Sequence, residues 1–439
     1  MFRMVRLEAK RSIALPLFLL LAVLTRVFLW MDVQEWASSW ASLLHSMRGT
    51  AWTGLPVAMA AAIWHGGRER RSRVGELFAA TPRPRPIRLL PAVLVIAGAV
   101  VLAVAAVVGW AAAIVSGHAT YSDGRWPLGL AVGLLAAIAV TLLGLGIGRA
   151  VSAPVAAPLG AVLLFLVLTV SQMREGRPAD RLVDTVLPML PLTDDFHRVL
   201  PALSAAQGIW FAALGVTGAL LAVAATARAR ALALTPAVAG LALGTLLAPS
   251  GAIVPDPRAA APVCAPEDHR VCVTTVHSKA LPGLLAPARR VLDAYADVPG
   301  GPTRVQEAPE SWMLDDGTPP GDAADPGTVL VRLPYRTQAG AVRWEPNVLL
   351  ALLAQRAVVD IDCLPGQPER IRARDAADAI TALLLDTPAD RLRPEARAAY
   401  DTLRALPAQE RRRRIGDARR AGLACEDPTA AVLGQGAAR

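Results

Sequence analysis

The chain is predicted to be mostly α-helical, with a polytopic membrane domain of about seven spans over residues 1–254 and a small extracytoplasmic α+β domain over residues 255–439. The first prediction follows from composition, because 54% of the 439 residues are hydrophobic and uncharged runs recur as far as residue 254. The second follows from the cysteines: Cys264, Cys272, Cys363 and Cys425 all lie beyond the last apolar run. Structural disulfides persist outside the cytosol, so this domain is expected in an oxidising compartment.

Each span is taken as a run of about 20 apolar residues, the length that crosses the hydrocarbon core. The expected spans are 12–30, 49–64, 89–115, 127–148, 153–170, 208–226 and 232–254. A cleavable signal peptide is the alternative for residues 1–30, which have a basic start and an apolar core. No small-residue cleavage pattern follows Trp30, so this segment is expected to remain as the first span.

Basic residues predict the orientation of the spans. The N-terminus and the loop 65–88 are rich in arginine and are expected in the cytoplasm. The segments 31–48, 116–126 and 171–207 share only six basic residues and are expected outside. An odd number of spans then leaves the C-terminal domain outside, in agreement with the cysteines.

The excess positive charge belongs to the membrane domain. Residues 1–254 contain 21 Lys and Arg against 11 Asp and Glu, whereas residues 255–439 contain 24 against 25. This distribution is typical of the cytoplasmic loops of a membrane protein. It does not indicate a nucleic-acid partner.

Missing residue types exclude several functions. No Asp or Glu lies in any expected span, and ion-coupled carriers generally need such groups at mid-depth. Secondary transport is therefore disfavoured. The two lysines, Lys10 and Lys279, do not follow a glycine as in a Walker A loop, and no HExxH zinc-hydrolase motif is present. The chain is therefore expected not to be an enzyme and to use no cofactor or metal. A step driven by ATP would require a separate subunit.

The loop 65–88 has the sequence "HGGRERRSRVGELFAATPRPRPIR". Its centre, Arg70 to Ala80, is predicted to form a short helix with Val74, Leu77 and Phe78 on one side and arginines on the other, ended by Pro82. A partner could dock on such a helix. The alternative is a loop whose arginines only hold it in the cytoplasm.

The order of spans, this arginine-rich helix followed by "AATPRPRP", and the longer outer segment between spans five and six resemble permeases of type-2 ABC exporters, especially actinobacterial ones. The resemblance covers about the first 230 residues. It implies a homodimer, or a heterodimer with another permease, and a separate ABC ATPase subunit that receives a coupling helix in a cleft. The residues to which it assigns the coupling role are Arg70, Arg71, Arg73, Glu76, Leu77 and Phe78. Simple members of the family have six spans, whereas 232–254 adds a seventh here.

The resemblance implies a permease subunit that exports an unknown cargo by rigid-body tilting of its spans. Uncharged spans are compatible with an amphipathic or lipid-like cargo. A non-transporting membrane sensor or accessory binding protein is the second hypothesis, and a degenerate hydrolase built around His269 or His277 is the third.

The C-terminal domain is expected to be α+β and rich in helices toward its end. The predicted strands are "RVCVTTV" and "TVLVRL", and the predicted helices are 281–298, 346–358, 373–385, 394–406 and 407–421. Four cysteines allow three pairings, of which Cys264–Cys272 and Cys363–Cys425 are favoured. The alternative of a zinc cluster formed by Cys264, His269, Cys272 and His277 lacks the usual C-x2-C spacing.

Three features of the membrane domain are expected to be structural. Arg26 is four residues from Trp30 and is expected to reach the outer interface. The glycine pairs 144/148 and 240/244 are expected to allow close helix packing. The residues Trp36, Trp40, Leu43 and Leu44 recur at helical spacing, which predicts an interfacial helix on the outer leaflet.

Overall fold

The chain forms two compact units in a computed structural model, Met1–Asp256 and Pro257–Arg439. The boundary lies two residues beyond the one expected at residue 254. The structure describes residues 2–72, 84–151, 153–172, 181–189, 195–308, 325–333 and 346–434. The first unit is called the membrane unit below, and the second the C-terminal unit.

The membrane unit is almost entirely helical. Its helices are α1 Phe2–Arg11, α2 Ala14–Met31, α3 Val33–Trp36, α4 Trp40–Gly49, α5 Ala51–Gly66, α6 Arg68–Arg71, α7 Arg85–His118, α8 Trp126–Ala150, α9 Ala156–Gln172, α10 Arg181–Val186, α11 Pro201–Val223, α12 Ala227–Leu232 and α13 Thr235–Leu247. Two short strands, β1 His197–Val199 and β2 Ile253–Pro255, pair antiparallel. Proline in the first turn of α7, α8, α11 and α13 fits helix entry, since the first helical N–H groups have no intrahelical partner.

Five helical segments of the described residues are long and apolar enough to cross a membrane. They are Ala14–Met31, Pro86–His118, Trp126–Ala150, Pro201–Val223 and Ala227–Leu247, the last spanning α12 and α13. The other two expected spans correspond to shorter helices, α5 with 16 residues and α9 with 17. The described chain is therefore mostly helical with five helices that could span a membrane, and the expected count of seven exceeds these five.

The last expected span, 232–254, is placed too far along the chain. The helical segment starts at Ala227, where the Thr226 side chain accepts a hydrogen bond from the Ala229 N–H at 3.1 Å and caps the helix. It ends at Leu247, and the residues from Ile253 to Pro255 are a strand instead. Apolar composition alone did not separate these two parts of the run.

Helix α8 lies at the centre of the membrane unit, packed against α5 on one side and α11 on another. The predicted packing role of its glycines is confirmed: a Cβ on Gly144 would lie 2.8 Å from the Ala62 Cβ, and one on Gly148 would lie 2.1 Å from the Ile63 carbonyl oxygen. Gly240 packs in the same way, since a Cβ there would lie 2.2 Å from that of Ala213. Small residues thus let two pairs of helices, α5 with α8 and α11 with α13, approach closely.

The helix that carries Trp40, Leu43 and Leu44 is not an exposed interfacial helix, so that prediction is wrong. Trp36 is completely buried, and Leu43 and Leu44 belong to buried clusters within the membrane unit. The Trp40 ring stacks on that of Trp126 with 4.4 Å between centroids. An amphipathic pattern predicts an apolar face but does not say whether protein or lipid covers it.

The C-terminal unit is α+β. Its strands are β3 Pro262–Ala265, β4 Asp268–Thr274, β5 Arg304–Glu307 and β6 Thr328–Val331, and its α-helices are α14 Leu281–Ala294, α15 Pro346–Arg356, α16 Gln367–Leu384, α17 Pro394–Arg404, α18 Ala408–Leu423 and α19 Thr429–Leu433. Short 3-10 helices occupy 275–280, 361–363 and 389–391. The sheet order is β3-β4-β5-β6, with β3 antiparallel to β4 and the other pairs parallel. Helix α14 makes the crossover between the parallel strands β4 and β5.

Two disulfides are present with the favoured pairing. Cys264–Cys272 joins β3 to β4, and Cys363–Cys425 joins residues that are 62 positions apart. The helices pack on the sheet around a single cluster of buried residues that contains Tyr295, whose hydroxyl donates to the Ala354 carbonyl oxygen at 3.2 Å. Burial raises the pKa of Tyr295 above its usual value, so this phenol stays protonated.

Candidate functional site

Five charged or ionisable side chains converge at one end of the membrane unit. They are Glu8 of α1, His65 at the end of α5, Arg68 and Glu69 of α6, and Arg149 at the end of α8, and they are called the junction cluster below. Three of the five, His65, Arg68 and Glu69, lie at the start of the arginine-rich loop 65–88. The junction cluster is therefore the attachment point of that loop to the membrane helices.

Glu8 pairs with both sides of the turn that follows α5. The His65 Nε2 lies 3.1 Å from the Glu8 Oε1, and the Arg68 Nη2 lies 2.5 Å from the same oxygen. The hydrogen bond from His65, together with the hydrogen bond and charge of Arg68, lowers the pKa of Glu8 to about 2, although burial acts in the opposite direction. Glu8 is thus ionised at neutral pH and joins α1 to the first residues of the loop.

Arg149 connects the same turn to two further helices. Its Nη2 donates to the Glu69 Oε2 at 2.9 Å, and its Nε donates to the Ala222 carbonyl oxygen near the end of α11, also at 2.9 Å. The bond to Ala222 satisfies one of the carbonyl groups left open at a helix C-terminus. Glu69 is therefore connected to α8 and α11 through one guanidinium group.

A cavity of about 190 Å³ lies beside the junction cluster. All five junction residues line it, together with the first turns of α7 around Arg88 and Pro91. Its mixed walls, acidic, basic and apolar, do not select one class of small ligand. The cavity instead leaves space in which these side chains can rearrange.

The backbone at the junction is held closely against α8. A Cβ on Gly66 would lie 2.5 Å from the Leu145 carbonyl oxygen, and one on Gly67 would lie 3.2 Å from the Gly148 carbonyl oxygen. No larger side chain fits at Gly66 without movement of the backbone. The end of α5 and the end of α8 consequently have little freedom to separate.

The predicted coupling residues are only partly within the described chain. Arg70 lies in α6, with its side chain outside the description, and Arg73, Glu76, Leu77 and Phe78 lie outside the described residues altogether. Arg71 is described: its Nη2 donates to the Trp64 carbonyl oxygen, and its guanidinium carbon lies 4.0 Å from the Trp64 ring centroid. Arg71 therefore folds back along α5 and covers the indole.

Sequence reasoning did not find the junction cluster. The pairs join residues 57 and 80 positions apart, so no local spacing marks them. One signal was available: Glu8 and Glu69 are the only acidic residues between Met1 and Asp123 that lie near expected cytoplasmic span ends outside the predicted coupling helix. Isolated carboxylates among many arginines are natural partners in a folded protein.

A buried arginine, Arg48, lies in the last turn of α4, just before α5 begins at Ala51. Its side chain is 3% exposed; its Nη2 donates to the Gln207 Oε1 at 2.8 Å, and its Nε donates to the Pro188 carbonyl oxygen. Gln207 in turn donates to the carbonyl oxygens of Asp184 and Leu187, at 2.7 and 2.9 Å. Sequence reasoning had counted Arg48 only as one of the few basic residues of the outer segments.

Arg26 extends to Trp30, the residue near which the outer interface is expected, and its guanidinium lies between two aromatic rings. Its guanidinium carbon is 3.5 Å from the Trp110 ring centroid and 5.0 Å from that of Trp30. These contacts with α7 and with its own helix are cation–π interactions.

The histidines of the C-terminal unit do not form an exposed catalytic group among the described residues. His269 is exposed, whereas His277 is buried and its Nδ1 is hydrogen-bonded to Glu307. The other Glu307 oxygen accepts from the Thr274 N–H at 2.7 Å and from its hydroxyl at 2.8 Å. Since Cys264 and Cys272 are bonded to each other, they are not available as thiolate ligands in the form that the zinc alternative required.

The geometry is that of a helical unit with several helices long and apolar enough to cross a membrane and a polar junction at one end of them. No family model, curated protein or solved structure matches the chain. Its function is therefore argued from its own residues and geometry.

Proposed function

We propose that this chain is the membrane-spanning permease subunit of an ABC-type exporter and works with a separate ATPase. The observation that supports it best is the junction cluster, in which the start of the arginine-rich loop is joined to α1 by Glu8 and to α8 and α11 by Arg149. A partner that moves this loop would act on four helices together, counting α5, from which the loop extends.

The mechanism follows from the rigid packing of α5, α8 and α11 and from the polar contacts of the junction cluster. The glycine contacts of α8 with α5 and α11 make these helices a single body, since close-packed interfaces do not deform continuously. Closure of an ATPase pair pushes on the loop, the junction cluster transmits the force, and this body tilts relative to its dimer partner. The dimer is a homodimer or a heterodimer with another permease.

The proposal includes seven crossings, with α5 and α9 as the two short ones. The junction cluster and the loop then lie in the cytoplasm, and the disulfide-linked C-terminal unit lies outside. Arginine in the loop and disulfides after the last helix support this orientation.

The two lysines test this orientation without any substitution. Lys10 lies in α1 near Glu8, Lys279 lies in the C-terminal unit, and both are exposed. A membrane-impermeant amine reagent applied to intact cells should modify Lys279 and leave Lys10 unmodified until the cells are permeabilised. Peptide mass spectrometry resolves the two sites. Modification of Lys10 in intact cells would contradict the proposed orientation.

Copurification tests the partner. The tagged full chain, extracted from its native membrane in mild detergent, should carry with it a protein that contains a Walker A motif. Leu77→Asp and Phe78→Asp should reduce the recovery of this ATPase, because a charged group would face the cleft. Arg228→Asp is the matched control, since Arg228 is an exposed residue of α12, beyond Ala222 at the junction end. Wild-type chain that recovers no such ATPase would support the sensor hypothesis instead.

A further inference from the structure

Arg48 is a buried cation that has no anionic partner in the described part of the chain. It has no carboxylate within ion-pair distance among the described residues, and the two groups that accept its hydrogen bonds, the Gln207 Oε1 and the Pro188 carbonyl oxygen, are neutral. Its Nη1 atom is buried and has no hydrogen-bond partner in the described part of the chain. Both N–H donors of Nη1 thus remain unsatisfied.

Such an arrangement is unfavourable unless an anion completes it. Removal of a guanidinium from water costs several kcal/mol, and neutral acceptors return only part of that. An arginine has five donors, so two good hydrogen bonds leave the remainder to another group. Buried ionisable residues in membrane proteins are for this reason indicators of ligand paths.

Arg48 lines an apolar cavity of about 70 Å³ between α2, α5, α7 and α8. Leucines, valines and alanines form most of its wall, and representative lining residues are Leu21, Leu55, Val100 and Leu134. Glycines keep it open: Gly54 has no atom within 4 Å of where its Cβ would be, and the Arg48 Cγ lies 3.7 Å from a Cβ built on Gly133. The small volume fits only the first few carbons of a narrow aliphatic chain, next to its head group, and not a bulky group.

We propose that this cavity binds a single-chain anionic amphiphile, with its carboxylate or phosphate on the guanidinium of Arg48 and its chain along the apolar wall. Charge complementarity selects the anionic end, because a charge-assisted hydrogen bond to the unpaired Nη1 completes the donor set. The apolar wall selects an alkyl chain by burial of its methylene groups. In an exporter this ligand is cargo, and that last step rests on the proposed function.

Photolabelling of the full chain in phosphatidylcholine nanodiscs tests the site. The probes are palmitate and hexadecyl phosphate that carry a diazirine on the chain, and the comparator is the uncharged hexadecanol probe of equal length. Both anions should label peptides of α2, α5 and α8 at the cavity, and unlabelled palmitate should compete. The hexadecanol probe should label these peptides about tenfold less, the factor expected for one charge-assisted hydrogen bond.

Two pairs of variants separate the site from general effects on the fold. Arg48→Gln should reduce anion labelling about tenfold or more, whereas Arg26→Gln removes a charge from α2 and should leave it unchanged. Gly54→Leu fills the cavity, keeps Arg48 and should reduce anion labelling. Gly98→Leu adds the same side chain on α7, at a position that also has no atom within 4 Å, and should leave labelling unchanged. Arg48→Lys should retain most of the labelling.

The proposal is overturned if hexadecanol labels as strongly as palmitate, if Arg48→Gln labels like Arg26→Gln, or if Gly54→Leu labels like Gly98→Leu. Where Arg48→Gln does not fold, the glycine pair and the comparator decide alone. The nanodiscs contain no ATPase, so failed labelling with successful copurification would reject the ligand site and leave the exporter proposal intact. Successful labelling with no ATPase recovered would support the ligand site and reject the exporter proposal.

Discussion

The carboxylate of Glu8 is the residue through which the N-terminal helix contacts the turn after α5. It accepts from His65 and pairs with Arg68, so it compensates cationic residues on a part of the chain that is otherwise strongly basic. Removal of one partner leaves the others with less compensation, and the effect is larger than for an isolated surface pair.

The lowered pKa of Glu8 predicts a specific dependence on pH. A carboxyl group with a pKa of about 2 when folded, against an ordinary 4.5, adds to the free energy of unfolding above about pH 4.5 and loses this contribution as pH falls toward 2. The melting temperature of wild type should therefore exceed that of Glu8→Gln by a constant amount at neutral pH, and the difference should shrink below about pH 4.5. Asp123→Asn, which removes a carboxylate from an exposed loop, should show a smaller difference from wild type at neutral pH. A wild-type advantage over Glu8→Gln that grows on acidification would contradict the pairing.

Arg149 is predicted to matter for stability through two bonds at once. Arg149→Met should lower the melting temperature in detergent by roughly 2–4 °C, corresponding to about 1 kcal/mol for a partly buried ion pair and a helix-end hydrogen bond. Arg125→Met, at the other end of α8 and exposed, should have little effect. Equal melting temperatures for Arg149→Met and Arg125→Met would show that the junction carries no net stabilisation.

At this scale the sequence predicted which loop is basic but not which side chains meet there. Composition and the positive-inside tendency depend only on local counts, and they were sufficient for the loop 65–88. The contacts of Glu8, Glu69 and Arg149 depend on how helix ends are arranged in space, which one sequence does not specify. Arg48 was missed for the same reason, because its partners Pro188 and Gln207 lie far along the chain.

At the scale of elements, helix α8 organises the membrane unit by glycine contacts on two faces. Gly144 and Gly148 receive α5, while a Cβ on Gly146 would lie 2.5 Å from the Gly218 carbonyl oxygen of α11. In an apolar solvent no hydrophobic effect drives helices together, so close van der Waals contact is a main source of association. The three helices therefore depend on the absence of side chains at these positions.

Gly148→Leu should separate α5 from α8 and destabilise the protein by about 1–3 kcal/mol, as overpacking of a close interface does. A Cβ at this position would lie 2.1 Å from the Ile63 carbonyl oxygen, which is backbone and cannot move aside alone. Gly208→Leu on α11 meets no atom within 4 Å and should be tolerated. Thermal unfolding in one detergent measures both, and equal stability of the two variants would argue against a tight α5–α8 contact.

Element positions were predictable where hydropathy or periodicity is strong. The α-helices of the C-terminal unit start or end within a few residues of the predictions at several boundaries, for example at Leu281, Pro346 and Pro394. Strands β3 and β5 were not predicted, because four residues such as Arg304–Glu307 carry too little alternation to identify. The burial of α4 was missed since its amphipathic pattern fits a lipid surface as well as a protein one.

At the scale of the whole molecule, both covalent cross-links lie in the C-terminal unit, whereas the helices of the membrane unit are held by close glycine contacts. The C-terminal unit has both disulfides, while the membrane unit contains no cysteine. Water drives the burial of apolar groups only in the unit that it surrounds. Each unit is thus stabilised by means suited to its own solvent.

The two disulfides should differ in what they contribute to stability. Cross-linking lowers the entropy of the unfolded chain more for a longer loop, and their sequence separations are 62 and 8. Replacement of Cys363 and Cys425 by serine should cost about 4 kcal/mol, against about 2.5 kcal/mol for Cys264 and Cys272. Denaturant unfolding of the full chain, followed by protease protection of the C-terminal unit, measures both. A larger loss for the Cys264–Cys272 pair would contradict the loop-length argument.

Because all four cysteines of the chain form disulfides, the protein has no free thiol that would react with a labelling reagent. A pair of single cysteines introduced into α5 and α9, for instance, could carry spin labels or fluorophores without prior removal of native ones. Distances between such labels could then be followed through a cycle of nucleotide addition, in the intact molecule and in a bilayer. The motion of helices that are only a few ångströms apart would become directly measurable.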